Sequence, residues 1–157
     1  MKKIFVLLVL ITGLHSYGQI FAGTGLVAGT IYHDDWGIML KPEFILSKHF
    51  GISPYYEYYF IQTPSEKLSG FQLDMHYYFF VKHKLNPYPG IGGGIYYLKK
   101  SENTPLESIP VISSRLGMHY KLGSRWRIFI EFWRSIAISF MHDGGWGYNL
   151  GILYRFR

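Results

Sequence analysis

No cysteine occurs anywhere in the 157 residues. That absence excludes a disulfide framework, a thiolate metal site, a thiol nucleophile and a lipid-modified cysteine anchor. Long apolar runs are equally scarce: beyond the first eighteen residues no stretch approaches the roughly twenty apolar residues that a spanning helix needs. Phosphate-binding loops are missing too. Gly90, Gly92, Gly93 and Gly94 put Ile95 where the third glycine of a dinucleotide fingerprint belongs. No basic segment is interleaved with aromatic platforms, which argues against a nucleic-acid partner, and nothing in the chain calls for a cofactor.

The single long apolar run stands at the N-terminus. Lys2 and Lys3 precede Ile4 to Ile11, and Ser16 and Gly18 supply small residues three and one positions before Gln19. The pattern reads as a secretory signal peptide, residues 1–18, cut after Gly18. The run breaks at Thr12, Gly13 and His15, too early for a membrane anchor. Residues 19–157 then form one domain. Loss of Lys2 and Lys3 lowers the formal net charge from +6 to about +4.

What is present is alternation. Eight segments of roughly eleven residues interleave bulky apolar with small or polar side chains: Ile20–Tyr32, Trp36–Leu46, Gly51–Gln62, Phe71–Val81, Tyr88–Lys99, Ser108–Leu122, Arg125–Ser139 and Trp146–Phe156. Period two repeated eight times, with turn residues between, predicts an all-β chain folded as an eight-stranded antiparallel up-and-down barrel, both ends on one side. Connections 47–50, 82–87 and 123–124 fall on the side of the chain ends, whereas 33–35, 63–70, 100–107 and 140–145 form the opposite loops. The chain is 19% aromatic, with 14 Tyr and 12 Phe, more rings than a soluble core of this size holds. Outward placement in lipid accommodates them, which predicts a transmembrane barrel.

The polar face supports that orientation. Its charges are Lys41, Arg115, Arg127 and Arg155 against Glu43, Glu57, Asp74 and Glu131. A balanced, arginine-rich set suits a buried ion-pair network, whereas solvated surfaces favour scattered lysine and glutamate. A soluble lipocalin-like ligand-binding barrel would place this face in water instead. Two features resist assignment: Gly23, Gly25 and Gly29 leave the faces of the first strand undefined, and Arg134 falls on the apolar face, which predicts either a place near the outer rim or a bulge that shifts it.

The last strand carries Trp146, Tyr148, Leu150, Ile152, Tyr154 and Phe156 on one face, with aromatics at both ends. Its Asn149, Gly151, Tyr154 and Phe156 follow the polar-x-Gly-x-x-aromatic-x-aromatic pattern, and with the stretches Asn86–Tyr97 and Tyr120–Ile130 the chain resembles the small eight-stranded outer-membrane barrels of OmpA and OmpX type. Arg157 follows the last aromatic, where many members of that family end on the aromatic itself. The resemblance implies the outer membrane of a Gram-negative bacterium, recognition of the C-terminal pattern by the barrel-assembly machinery, contact with outer-membrane lipid and lipopolysaccharide, and a monomer. It implies no catalysis.

Candidate chemistry is sparse. An eight-stranded barrel is just wide enough for its own side chains, so a plugged interior is expected ahead of narrow porin-like passage. Barrel enzymes that modify lipid A are the nearest catalytic comparison, and Ser139, His142 and Asp143 hint at one. The His-x-Ser element of the deacylases would require serine at position 144, which is Gly144. Pairing of the first and last strands brings His33, Asp34 and Asp35 toward His142 and Asp143, a loop group whose imidazoles and carboxylates suit a divalent ion.

Overall fold

The computed structural model describes residues 18–30, 35–61, 66–80, 83–101, 103–138 and 144–156. Strands dominate, and no helix occurs among the described residues. The strands are β1 (Gln19–Gly29), β2 (Asp35–Leu40), β3 (Glu43–Ile45), β4 (Phe50–Phe60), β5 (Lys67–Tyr77), β6 (Leu85–Lys99), β7 (Glu107–Lys121), β8 (Trp126–Ala137) and β9 (Gly145–Arg155). Both β2 and β3 lie between β1 and β4 in continuous register, so they are two pieces of one stave. All pairings are antiparallel, and β1 with β9 closes the sheet into an eight-stave barrel.

The break between β2 and β3 has a local cause. The register sets Pro42 across from Pro54 of β4, and neither proline has an N–H to donate. Ser53 Oγ donates to the stranded Pro42 carbonyl at 2.8 Å, and Lys41 N still donates to Gly23 O at 2.9 Å. The stave therefore survives with its ladder interrupted on one side.

Register fixes the shape. Cross-strand partners traced from Gln19 pass through Ile45, Gly51, His76, Gly90, Arg115, Trp133 and Gly147 and return to β1 at Gly29, ten residues from the start. A shear of ten across eight staves tilts the strands by about 40° and gives a backbone radius of about 8 Å.

Alternation assigns the faces as the sequence indicates. Trp36, Ile38, Leu73, Met75, Leu116, Ile130 and Leu150 point outward and exposed, while Lys41, Glu43, Glu57, Asp74, Arg115 and Glu131 are buried in the lumen. This is the reverse of a soluble barrel. The first strand resolves: Phe21, Gly23, Gly25, Val27 and Gly29 share the lumen face. Arg134 faces outward opposite Trp146, near the outer ends of β8 and β9, the rim position that spares it the bilayer midplane.

Two expectations need correction. The fourth segment begins at Lys67 and not Phe71, because Leu68 and Gly70 continue the lumen period and pair with Leu98 and Tyr96. The aromatics are also not all external: Phe21, Tyr55, Tyr59, Tyr78, Tyr88, Tyr96, Phe129 and Trp133 are buried inside. Lumen glycines make the room. A Cβ on Gly117 would lie 2.4 Å from Tyr88 Cζ, and one on Gly70 would lie 2.4 Å from Tyr96 Cε1.

Gly117→Val should therefore displace the Tyr88 ring and cost about 1–3 kcal/mol by overpacking, read as a lower urea midpoint of the detergent-folded protein. Gly123→Ala, with nothing within 4 Å, should leave that midpoint unchanged.

Candidate functional site

Among the described residues, charged, aromatic and amide groups converge in the lumen. Inward parity on β2–β3, β4, β5, β7, β8 and β9 delivers Lys41, Glu43, Glu57, Asp74, Arg115, Glu131 and Asn149, all at most 2% exposed. At its centre Glu131 Oε1 accepts from the Lys41 ammonium, from Tyr88 OH at 2.6 Å and from Tyr55 OH at 3.0 Å. Its other oxygen accepts from Asn149 Nδ2 at 3.0 Å and lies 3.8 Å from Arg115 Nη1. One carboxylate thus ties together side chains from five other staves.

Arg115 links this hub to a second cluster. Its Nε donates to Asp74, its Nη2 lies 3.7 Å from Glu57 Oε1, and its guanidinium stacks 4.1 Å from the Tyr55 ring centroid. Tyr96 OH at 2.7 Å, Tyr59 OH at 3.2 Å and Gln72 Nε2 at 3.2 Å all donate to Glu57 Oε2. Ser113 Oγ completes Asp74 at 3.1 Å. Lys41 Nζ also donates to Tyr88 OH at 3.1 Å and sits 4.4 Å from the Phe129 ring centroid, a cation held by a carboxylate and aromatic faces together.

Toward the end that carries both termini, Glu43 accepts from Tyr78 OH at 2.5 Å, with Lys41 Nζ at 4.0 Å and His119 Nε2 at 3.5 Å. His76 bridges the levels, its Nε2 3.0 Å from Tyr55 OH and its Nδ1 3.2 Å from Tyr78 OH. The remaining two cations stand apart. Arg127 lies over the Phe21 ring at 4.1 Å and donates to Gln19 Oε1 at 3.3 Å. Arg155, half-buried at the rim, has no ion pair with a described carboxylate.

Asn149 and Gly151 of the C-terminal pattern turn into the lumen, Asn149 also accepting from Trp133 Nε1 at 3.0 Å. Tyr154 and Phe156 face outward with ring centroids 5.2 Å apart. Of the loop group, Asp35 is buried at the outer end of β2 opposite Gly29. His33, Asp34, His142 and Asp143 lie outside the described residues, as does Ser139, and among the described residues no group of three His, Asp or Glu is placed to hold a metal ion. Gly144 has φ +79°, and a Cβ there would come within 2.1 Å of Ser135 O, so a serine at 144 would be strained.

Sequence reasoning missed the phenols. Tyr55, Tyr59, Tyr78, Tyr88 and Tyr96 each donate to a lumen carboxylate, and their parity with Glu57, Asp74 and the lumen glycines was the available signal. The network's dependence on pairing leads to a direct expectation. Glu131→Ala or Arg115→Ala should destabilise the folded barrel by about 3–5 kcal/mol by stranding its partners, measured by urea unfolding in detergent. Lys41→Met combined with Glu131→Leu should recover part of the loss.

The fold is that of the small eight-stranded outer-membrane barrels. The N-terminal β-barrel domain of Pseudomonas aeruginosa OprF superposes with a TM-score of 0.68 at 16% identity, covering 88% of this chain and 99% of that one. OprG from the same organism gives 0.66 at 12%, covering 90% and 97%. Ail, the attachment invasion locus protein of Yersinia pestis, gives 0.61 at 15%, covering 89% and 99%. No protein-family model and no curated protein matches the sequence.

Proposed function

We propose that this chain is an exported, integral outer-membrane protein of a Gram-negative envelope, monomeric and non-enzymatic, which serves as a plugged barrel with a structural or surface-interaction role. The observation that carries the reading is the inverted distribution of polarity. Large apolar side chains cover the outside of a closed sheet, with Leu26, Leu116, Ile91 and Ile136 each more than half exposed, while paired charges fill the inside. In water that arrangement exposes an apolar patch far beyond what a soluble monomer carries; in a bilayer the closed sheet leaves no strand edge open to lipid and keeps the central ion pairs away from it.

Aromatics at both strand ends support a membrane position. Trp36, Phe60, Trp146 and Tyr148 ring one end; Phe50, Tyr77, Trp126 and Phe156 ring the other. The lumen favours a plug over a pore, since Lys41, Glu43, Glu57, Gln72 and Asp74 carry no water-accessible surface. Residues 1–18 serve as the cleaved export signal in this reading. The final strand, with Asn149, Gly151, Tyr154 and Phe156, is the segment presented to the barrel-assembly machinery, and Arg134 at the Trp146 level suits a lipopolysaccharide phosphate.

Envelope fractionation followed by gels with and without boiling tests the reading. A heat-modifiable band in the outer-membrane fraction, with an N-terminus at Gln19 and no conductance steps in planar bilayers, is expected. Detergent-free release of the protein would overturn it, and deacylation of purified lipid A would overturn its non-enzymatic part.

A further inference from the structure

Tyr55, Tyr59, Tyr78, Tyr88 and Tyr96 are equally buried, none more than 1% exposed, yet their surroundings differ from one end of the lumen to the other. Away from the chain termini, Val27, Leu68, Leu98, Ile109, Val111 and Trp133 pack with the rings of Tyr59 and Tyr96 into one apolar layer. Toward the termini, polar atoms stand unmatched. Glu43 Oε2, both ring nitrogens of His119 and Arg127 Nη1 are buried with no hydrogen-bond partner among the described residues, and the three side chains belong to residues at most 6% exposed. Glu43 Oε2 and His119 Nε2 lie 3.5 Å apart, and Arg127 covers Phe21, the cross-strand partner of Glu43. Convergent buried groups of this kind hold ordered water, and here they do so beside the mouth.

From that mouth a file of hydrogen-bonding groups runs inward. Tyr78 OH donates to Glu43 Oε1 at 2.5 Å, and the same oxygen lies 3.2 Å from His76 Nδ1. On the far side of the ring, His76 Nε2 lies 3.0 Å from Tyr55 OH, which donates to Glu131 Oε1 at 3.0 Å. The hydrogens do not suffice for all four contacts. Both phenols spend theirs on a carboxylate, so each can only accept from His76, and a neutral imidazole has one N–H to give. The shorter contact takes it: Nε2–H donates to Tyr55, and Nδ1 faces the Tyr78 oxygen with no hydrogen between them. The file is one proton short, at the ring nitrogen nearer the mouth.

We propose that the lumen is a one-ended proton relay, in which water held by Glu43, His119 and Arg127 delivers a proton from the terminal side and Glu43, Tyr78 and His76 carry it inward. The Glu43 carboxylate binds the proton and hands it to the Tyr78 oxygen, while Tyr78 hands its own hydroxyl hydrogen to His76 Nδ1. Glu43 is then again a carboxylate, Tyr78 again a phenol, and His76 an imidazolium that donates to both phenols. A second step moves the Nε2 hydrogen to Tyr55 and the Tyr55 hydrogen to Glu131 Oε1, so one proton enters, one arrives, and His76 is neutral again. The transient cation is favoured by Glu43 and Glu131 and opposed by Lys41, Arg115 and, nearer the mouth, Arg127, with Tyr88 and His119 the other titratable groups beside it. Charges of both signs make the proton one that is passed and returned. The file stops at Glu131, because Arg115, which keeps its protons, stands between Glu131 and Glu57, and the apolar layer closes the far end. This inference rests on the plugged lumen of the reading above and adds to it: solutes are excluded while a proton is admitted from one side.

Hydroxyl exchange tests the relay. In protein extracted from envelopes with its tyrosines isotopically labelled at Cζ, nuclear magnetic resonance in mixed light and heavy water follows each phenol hydrogen as it is replaced. Tyr78 should exchange about tenfold or more faster than Tyr59 and Tyr96, although all three are equally buried. Glu43→Gln, which keeps a hydrogen-bond partner for Tyr78 and cannot pass a proton, should slow Tyr78 and Tyr55 together. His76→Gln should slow Tyr55 and leave Tyr78 as it was, and neither variant should alter Tyr59 or Tyr96. Equal exchange of Tyr78, Tyr59 and Tyr96 in the unaltered protein would overturn the proposal without any variant. Tyr78 exchange unchanged in Glu43→Gln, or slowed as much as Tyr55 in His76→Gln, would overturn it as well. Heat-modifiability and bilayer conductance test the reading above separately, so a failed relay leaves that reading standing.

Discussion

The Lys41 ammonium and the Glu131 carboxylate meet near the axis of a lumen about 8 Å in backbone radius, and the surrounding side chains are disposed to keep that pair satisfied. A buried charge that loses its partner costs several kcal/mol. Glu43, Glu57, Asp74 and Glu131 are accordingly met by a cation, by phenols, or by both. Because the donors come from staves distant in sequence, the network exists only when the sheet is closed. Lumen chemistry and barrel closure are thus one cooperative unit.

Room for this network comes from glycine. A lumen that carries tyrosine rings at Tyr88 and Tyr96 needs facing positions without a Cβ, and Gly117 and Gly70 provide them. The same pressure explains the run at Gly90, Gly92 and Gly94, where a Cβ on Gly92 would strike Asp74 Oδ1 at 2.0 Å. Phenol opposite glycine is a compact solution for placing a hydrogen-bond donor at the axis without widening the barrel.

Period two was legible because a bilayer and a plugged lumen make opposite demands on neighbouring residues, so the staves other than the glycine-rich β1 and β6 declared their faces. The charged members of the lumen were legible for the same reason. Three things were hidden. The faces of β1 were masked by Gly23, Gly25 and Gly29, which alternate with residues of little contrast. The role of the inner tyrosines was obscured because Tyr belongs equally to an interfacial belt and to a polar core. The separation of Arg127 and Arg155 from the central pairs could not be read, because axial depth depends on shear, and shear is a property of register that one strand's sequence does not carry.

That shear has a consequence for sorting among membranes. From Trp146 to Phe156 the last strand spans about 33 Å along its length, which a tilt of about 40° projects to about 25 Å between the two belts. A helix too long for its bilayer can lean, but a closed sheet cannot change its tilt without slipping every register at once. The lipid must conform to the protein, and a thin bilayer does so at the least elastic cost. A hydrogen-bond count around the barrel thereby selects the thickness of the membrane in which it is most at ease.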